Sequence, residues 1–81
     1  MDNIGFAKLN QMGKIKLVLH LLSKQSDEWY YGQIRLFSDM SGSIGYEDYD
    51  GHWQSSYKFY SEVELERTLL EIYEELRSEE K

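Results

Sequence analysis

The chain contains no cysteine and no proline among its 81 residues. Without cysteine there is no disulfide framework, no thiolate metal site and no cysteine nucleophile, a usage expected of a reducing compartment such as the cytoplasm. With no proline, repeat or low-complexity tract, nothing marks a linker, and residues 1–81 read as a single domain. A long apolar run is missing too. The richest, Ile15 to Leu22, is broken by His20 and falls short of the roughly 20 residues that a span requires. Met1 to Leu22 lacks the cleavage site of a signal peptide, and neither end carries a lipidation motif, so no membrane attachment is expected. A chain of this length buries only about 60% of its unfolded surface, which leaves little material for a deep catalytic cleft beside a core.

Positive charge is scarce and unevenly placed. Residues 1–24 hold four lysines against Asp2, a net +3, whereas residues 25–81 hold five basic and fourteen acidic groups, a net −9, giving −6 for the whole. Phosphate backbones and anionic lipids would repel most of such a chain, so nucleic acid and membranes are poor candidate partners. A protein with a basic face is the better one.

Aromatic residues are abundant in one place. Ten of the twelve lie between Trp29 and Tyr60, interleaved with Asp39, Glu47, Asp48 and Asp50. A small core needs only a few large rings, and tyrosine or tryptophan in surplus beside carboxylates is the composition of a protein-binding face.

The clearest element is C-terminal. Ser61 and Glu64 have capping-box spacing, with the serine hydroxyl accepting from the Glu64 amide and the glutamate returning to the Ser61 amide; Tyr60 and Leu65 are placed to staple the entry. Leu65, Leu69, Ile72 and Leu76 then recur at helical spacing, widened by Leu70 and Tyr73, and predict a helix over 62–78. Before it, Trp53, Ser55, Tyr57 and Phe59 alternate with polar positions, as in a strand with its rings on one face. Asp50-Gly51 suits a type I′ turn, so 43–49 and 52–60 are expected to form a hairpin. The stretch 29–37 is a further strand, ending in the turn signal Ser38-Asp39-Met40-Ser41-Gly42.

The N-terminal third fits two periods. Ile15, Leu17, Leu19 and Leu21 alternate as a strand would, while Ile15, Val18, Leu19 and Leu22 mark a helix face. The shortness of the run, Gly13 before it and the loop-length Ser23 to Asp27 after it favour a strand. Residues 1–13 are left open, with Ile4, Phe6, Leu9 and Met12 fitting a helical turn or a short edge strand. The expected architecture is α+β: an antiparallel meander of three to four strands within 14–60, with the C-terminal helix packed on one face. Trp53, Tyr57 and Phe59 are expected beneath the helix, leaving a spare aromatic face on the other side.

No pattern for chemistry survives scrutiny. His20 and His52 have no mutual metal spacing and no close carboxylate in view. Were Asp48 to Gly51 part of a calcium loop with Gly51 sixth, the first and twelfth ligands would fall on Tyr46 and Tyr57, so the turn explanation is preferred. Gly42-Ser43-Ile44-Gly45 lacks the lysine and the following helix of a phosphate loop and reads as turn exit and thinned strand. No serine sits in a nucleophile elbow. Glu47 and Asp50 flanked by rings would suit sugar chemistry only in a cleft. Aromatic sheets do stack single-stranded bases, yet these strands offer only Arg35 and Lys58 as cations.

The expectation is therefore a non-enzymatic cytoplasmic interaction module without cofactor or metal. It would act as an inhibitor or antidote covering a basic surface of a larger protein, as small acidic α+β proteins of immunity, anti-restriction or phage anti-defence type do. Trp29, Tyr31, Tyr46 and Tyr49 would supply anchors, and Asp39, Glu47, Asp48 and Asp50 would supply steering charge. Two alternatives belong to other classes. One is a homo-oligomeric accessory subunit paired through the spare aromatic face; the other is a small-ligand or glycan binder with a pocket framed by Trp29, Trp53 and a carboxylate.

Overall fold

The computed structural model describes the backbone of residues 3–79 and the side chains of residues 5–77. Two helices, α1 (Asn3–Ala7) and α2 (Gln11–Gln25), precede a 3-10 segment (Asp27–Tyr31); strands β1 (Gly32–Leu36), β2 (Gly42–Glu47) and β3 (Trp53–Phe59) come next, and α3 (Glu62–Glu79) closes the chain. The strands form an antiparallel meander in the order β1-β2-β3, and the protein is α+β.

The expected strand over 15–22 is instead the middle of α2. Asn10 supplies the cap, its side-chain oxygen accepting from the Gly13 amide at 2.8 Å, and the leucines, lysines and glutamines of α2 are good helix formers. Of the two competing periods the helical one wins: Ile15, Val18 and Leu22 are the buried positions of α2. The sheet therefore has three strands, not four, and begins at Gly32. The expected strand start at Trp29 is corrected too, because Ser26 opens a 3-10 turn: its hydroxyl accepts from the Glu28 amide and its carbonyl from the Trp29 amide. At the N-terminus the helical-turn option holds and Phe6 is buried; the side chain of Ile4 lies outside the described residues.

Helix α3 agrees closely with its sequence signature. Leu65, Leu69, Ile72, Tyr73 and Leu76 are all buried, each aliphatic one stabilising the fold by about 1.5–3 kcal/mol relative to exposure. The Glu64 amide donates to Ser61 Oγ at 3.2 Å, but the Glu64 carboxylate accepts from the Tyr60 amide at 2.8 Å and not from Ser61, so the capping box closes one residue early. Tyr60 stays largely exposed, while Leu65 is fully buried.

Helices α2 and α3 pack against one another and together cover one sheet face, α2 over β1 and α3 over β3. Ile44 and Phe59 on that face are buried, with Ile34, Tyr46 and Tyr57 packed around them. Between the helices, Lys14 Nζ contacts Glu66 Oε1 at 2.7 Å, and Gln11 Nε2 donates to Glu66 Oε2 at 3.0 Å.

One irregularity in the sheet decides where a tryptophan goes. Ile44 pairs with Tyr57 but Gly45 pairs with Ser55, which leaves Ser56 as the extra residue of a β-bulge. Gly45 permits this close approach: a Cβ there would lie 2.1 Å from the Gln54 carbonyl oxygen. The bulge inverts the alternation of β3, so Trp53 shares a face with Glu47 and Arg35, opposite Tyr57 and Phe59. The expectation of Trp53 beneath the helix is corrected accordingly. Within the strands the uncovered face carries Gln33, Arg35, Ser43, Glu47, Ser55 and Lys58 with Trp53 as the one ring, so the strands do not build the spare aromatic face anticipated; the exposed rings Phe37 and Tyr60 lie just past the strand ends.

Candidate functional site

The aromatic surplus is displaced from the sheet face to one end of the molecule. There the 3-10 segment lies beside the β2–β3 hairpin, and the two frame an open hollow of about 760 Å³.

The hairpin side is held by Asp48. Its Oδ1 accepts from the amides of Asp50 and His52, both at 2.9 Å, and its Oδ2 from Gln54 Nε2 at 3.0 Å. These bonds, the His52 amide first, hold the Asp48 carboxyl below its ordinary range. The Gly51 amide donates to the Asp48 carbonyl and the Asp48 amide to the His52 carbonyl, so three residues form the loop. Only Gly51 among them has positive φ, at 82°, which corrects the expected two-residue type I′ turn to a type I turn followed by a glycine bulge. Tyr49 stands at the tip, 97% exposed.

The other side is shaped by the 3-10 turn, which sends successive rings in different directions. Trp29 enters the core at 9% exposure, edge-on to Tyr46 with centroids 5.0 Å apart. Tyr30 and Tyr31 remain outside at 74% and 62%, packed edge to face at 4.8 Å. Tyr46 is half-buried; its hydroxyl donates to Glu28 Oε1 over a long 3.5 Å. Burial first, then the Glu28 charge, raises the Tyr46 pKa.

The hollow therefore joins four tyrosines, Tyr30, Tyr31, Tyr46 and Tyr49, to the acids Asp27, Glu28 and Asp48; Glu47 also borders it, but its carboxylate is turned to Arg35 on the opposite sheet face. Of the residues expected at an interface, Tyr31, Tyr46, Glu47, Asp48 and Tyr49 meet here. Trp29 does not serve as an exposed anchor, because it belongs to the core. Asp39 lies at the far end of β2, in the loop where its Oδ1 accepts from the Ser41 amide and hydroxyl, bonds that lower its pKa. The six residues of β2 separate the two loops by about 17 Å. Asp50 sits in the hairpin loop without lining the hollow.

Asp27, Glu28, Tyr30 and Gln54 were not anticipated. The signal for the first three was Ser26-Asp27-Glu28, a cap with acids in the first turn, which makes Trp29, Tyr30 and Tyr31 diverge where a strand would alternate them.

Two further arrangements bear on chemistry. Asp48, Asp50 and His52 bring potential ligand atoms within 4.8 Å of one another, and His52 Nδ1 lies 3.9 Å from Asp48 Oδ2, so His52 does have close carboxylate company. The Asp48 oxygens in that group already accept the three bonds that fix the loop. Trp29 and Trp53 sit on opposite sides of the sheet, with Arg35 Cζ 3.9 Å over the Trp53 ring, so they do not frame a common sugar pocket. Among the described residues, no helix is long and apolar enough to cross a membrane. Comparison with family models, characterised proteins and solved structures returned no match.

Proposed function

We propose that the protein is an interaction module that masks a basic surface of a larger protein, as an inhibitor or antidote, through the tyrosine and carboxylate end of its fold. It acts by occupancy, without a chemical step. The absence of cysteine favours the cytoplasm as its place of action. The single observation that carries this reading is the hollow, where exposed tyrosines share a concave surface with the acids Asp27, Glu28 and Asp48 and, among the described residues, no lysine, arginine or histidine lines it. Concave surfaces of one charge sign focus the field and steer oppositely charged partners, while tyrosines supply rigid contact area once water is expelled.

The test is capture from the source cells on immobilised protein, followed by binding kinetics of whatever basic protein is retained. Raising the salt from about 0.05 to about 0.5 M is expected to slow association at least about tenfold, with Tyr31→Ala and Tyr49→Ala accelerating dissociation. Association indifferent to salt, or dissociation indifferent to both tyrosines, contradicts the proposal.

A further inference from the structure

We infer that the hollow receives the guanidinium of one arginine from the basic partner, an inference that rests on the interaction reading above. Two of the four acidic residues that border it are already engaged: the Glu47 carboxylate is turned away to Arg35 at 3.3 Å on the far side of the sheet, and Asp48 holds the hairpin loop. Asp27 and Glu28 have no cationic partner among the described residues, and Glu28 accepts only the long Tyr46 hydroxyl bond on its side chain. Beside them Tyr30 and Tyr31 present two ring planes at 88° to each other.

A planar cation that lies on a ring and turns its N–H edge to a carboxylate suits that arrangement. Arginine offers both, whereas the ammonium of lysine is more strongly hydrated and has no flat face. An instance of this triad lies within the protein itself, where Arg35 stacks on Trp53 at 3.9 Å and pairs with Glu47. The hollow differs in having the ring and the carboxylates without the cation. Its roughly 760 Å³ admits a whole arginine side chain and the backbone that carries it.

The test is an NMR titration of the full chain, reading backbone amides and tyrosine ring signals. The probes are a short glycine-serine peptide with one central arginine, the same peptide with citrulline as the neutral isostere, and the same peptide with lysine. Saturable shifts are expected at Tyr30, Tyr31 and Tyr49, at least about tenfold weaker for citrulline and several-fold weaker for lysine. The double variant Asp27→Asn, Glu28→Gln is expected to lose about tenfold in affinity with an otherwise native spectrum, while Glu71→Gln on α3 changes nothing. Equal binding of arginine and citrulline overturns the inference, as do shifts mapping to α3 or no shift at millimolar peptide. If the peptides fail while the captured partner still depends on Tyr31, the arginine site is wrong and the interaction reading stands. If arginine binds here while the partner ignores both Tyr31 and Tyr49, the interaction reading is wrong and the site stands.

Discussion

Neutralising Glu66 should loosen the contact between α2 and α3, and the structure sets the size of the effect. Lys14 and Gln11, three residues apart on one side of α2, donate to the two oxygens of Glu66 at 2.7 and 3.0 Å. In a strand, side chains at that spacing would point to opposite faces, so this clamp exists only because the segment is helical. At 2.7 Å the bare attraction of the ion pair is about 1.5 kcal/mol in bulk water and about 6 kcal/mol at an effective dielectric of 20. The side chains of Lys14 and Glu66 are 17% and 36% exposed, so desolvation and side-chain ordering consume most of that gain. A net coupling of about 1 kcal/mol remains, at the upper end of what partly exposed pairs supply. The assay is a double-mutant cycle with Glu66→Gln and Lys14→Met, followed by urea unfolding at low salt. Methionine keeps an apolar stem where the Lys14 ammonium lies 5.7 Å from the Phe6 ring centroid. For a domain of this size, about 1 kcal/mol corresponds to a melting shift of about 4–8 °C. A coupling below about 0.3 kcal/mol would refute the clamp as a source of stability.

Acid should unfold the protein in a manner tied to the same group. The Lys14 hydrogen bond is the main reason the Glu66 carboxyl sits below its ordinary 4.5, so its contribution is complete above about pH 4.5 and lost as pH falls through the depressed folded value; Glu66→Gln should flatten that limb of a melting-against-pH curve. Gly45→Ala is expected to cost more than about 3 kcal/mol or to abolish folding, since its methyl would strike the Gln54 backbone, whereas Gly51→Ala, with open space around it, should cost about 1 kcal/mol through its positive φ alone. Circular dichroism with urea titration separates those two. Trp29→Ala should destabilise by about 3 kcal/mol or more and Tyr49→Ala by less than about 0.5, because one ring is in the core and the other is solvated. Equal losses would place Trp29 at the surface.

Much of the fold was legible because its signals are local. Ser61 with Glu64 and the leucine stripe located α3, and Asp50-Gly51 and Ser38 to Gly42 located both hairpins. The features that escaped depend on contacts with distant segments or on short caps whose signal the alternation masks. Leucines at 17, 19 and 21 imitate a strand beside the helical set 15, 18 and 22, and only packing against α3 and the cap from Asn10 decide between them. The bulge at Ser56 leaves no mark in the alternation of β3, since its cause is the bare backbone of Gly45 on the neighbouring strand. Its consequence is the inversion of Trp53, and with it the loss of the spare aromatic face. At the site, carboxylates and tyrosines were recognisable as an interface composition, but the turn that Ser26 opens determines which of them meet. That turn buried Trp29 and drew in Asp27, Glu28 and Tyr30; strand direction carried Asp39 to the other end.

The central claim is that the tyrosine and carboxylate end binds a basic partner, and selection of peptides displayed on phage against the intact protein tests it most directly. Selected peptides are predicted to be enriched in arginine and to lose binding when Asp27→Asn, Glu28→Gln and Tyr31→Ala are combined in a folded variant. Enrichment of peptides without basic residues, or of peptides that bind this variant as well as the parent, would contradict the account.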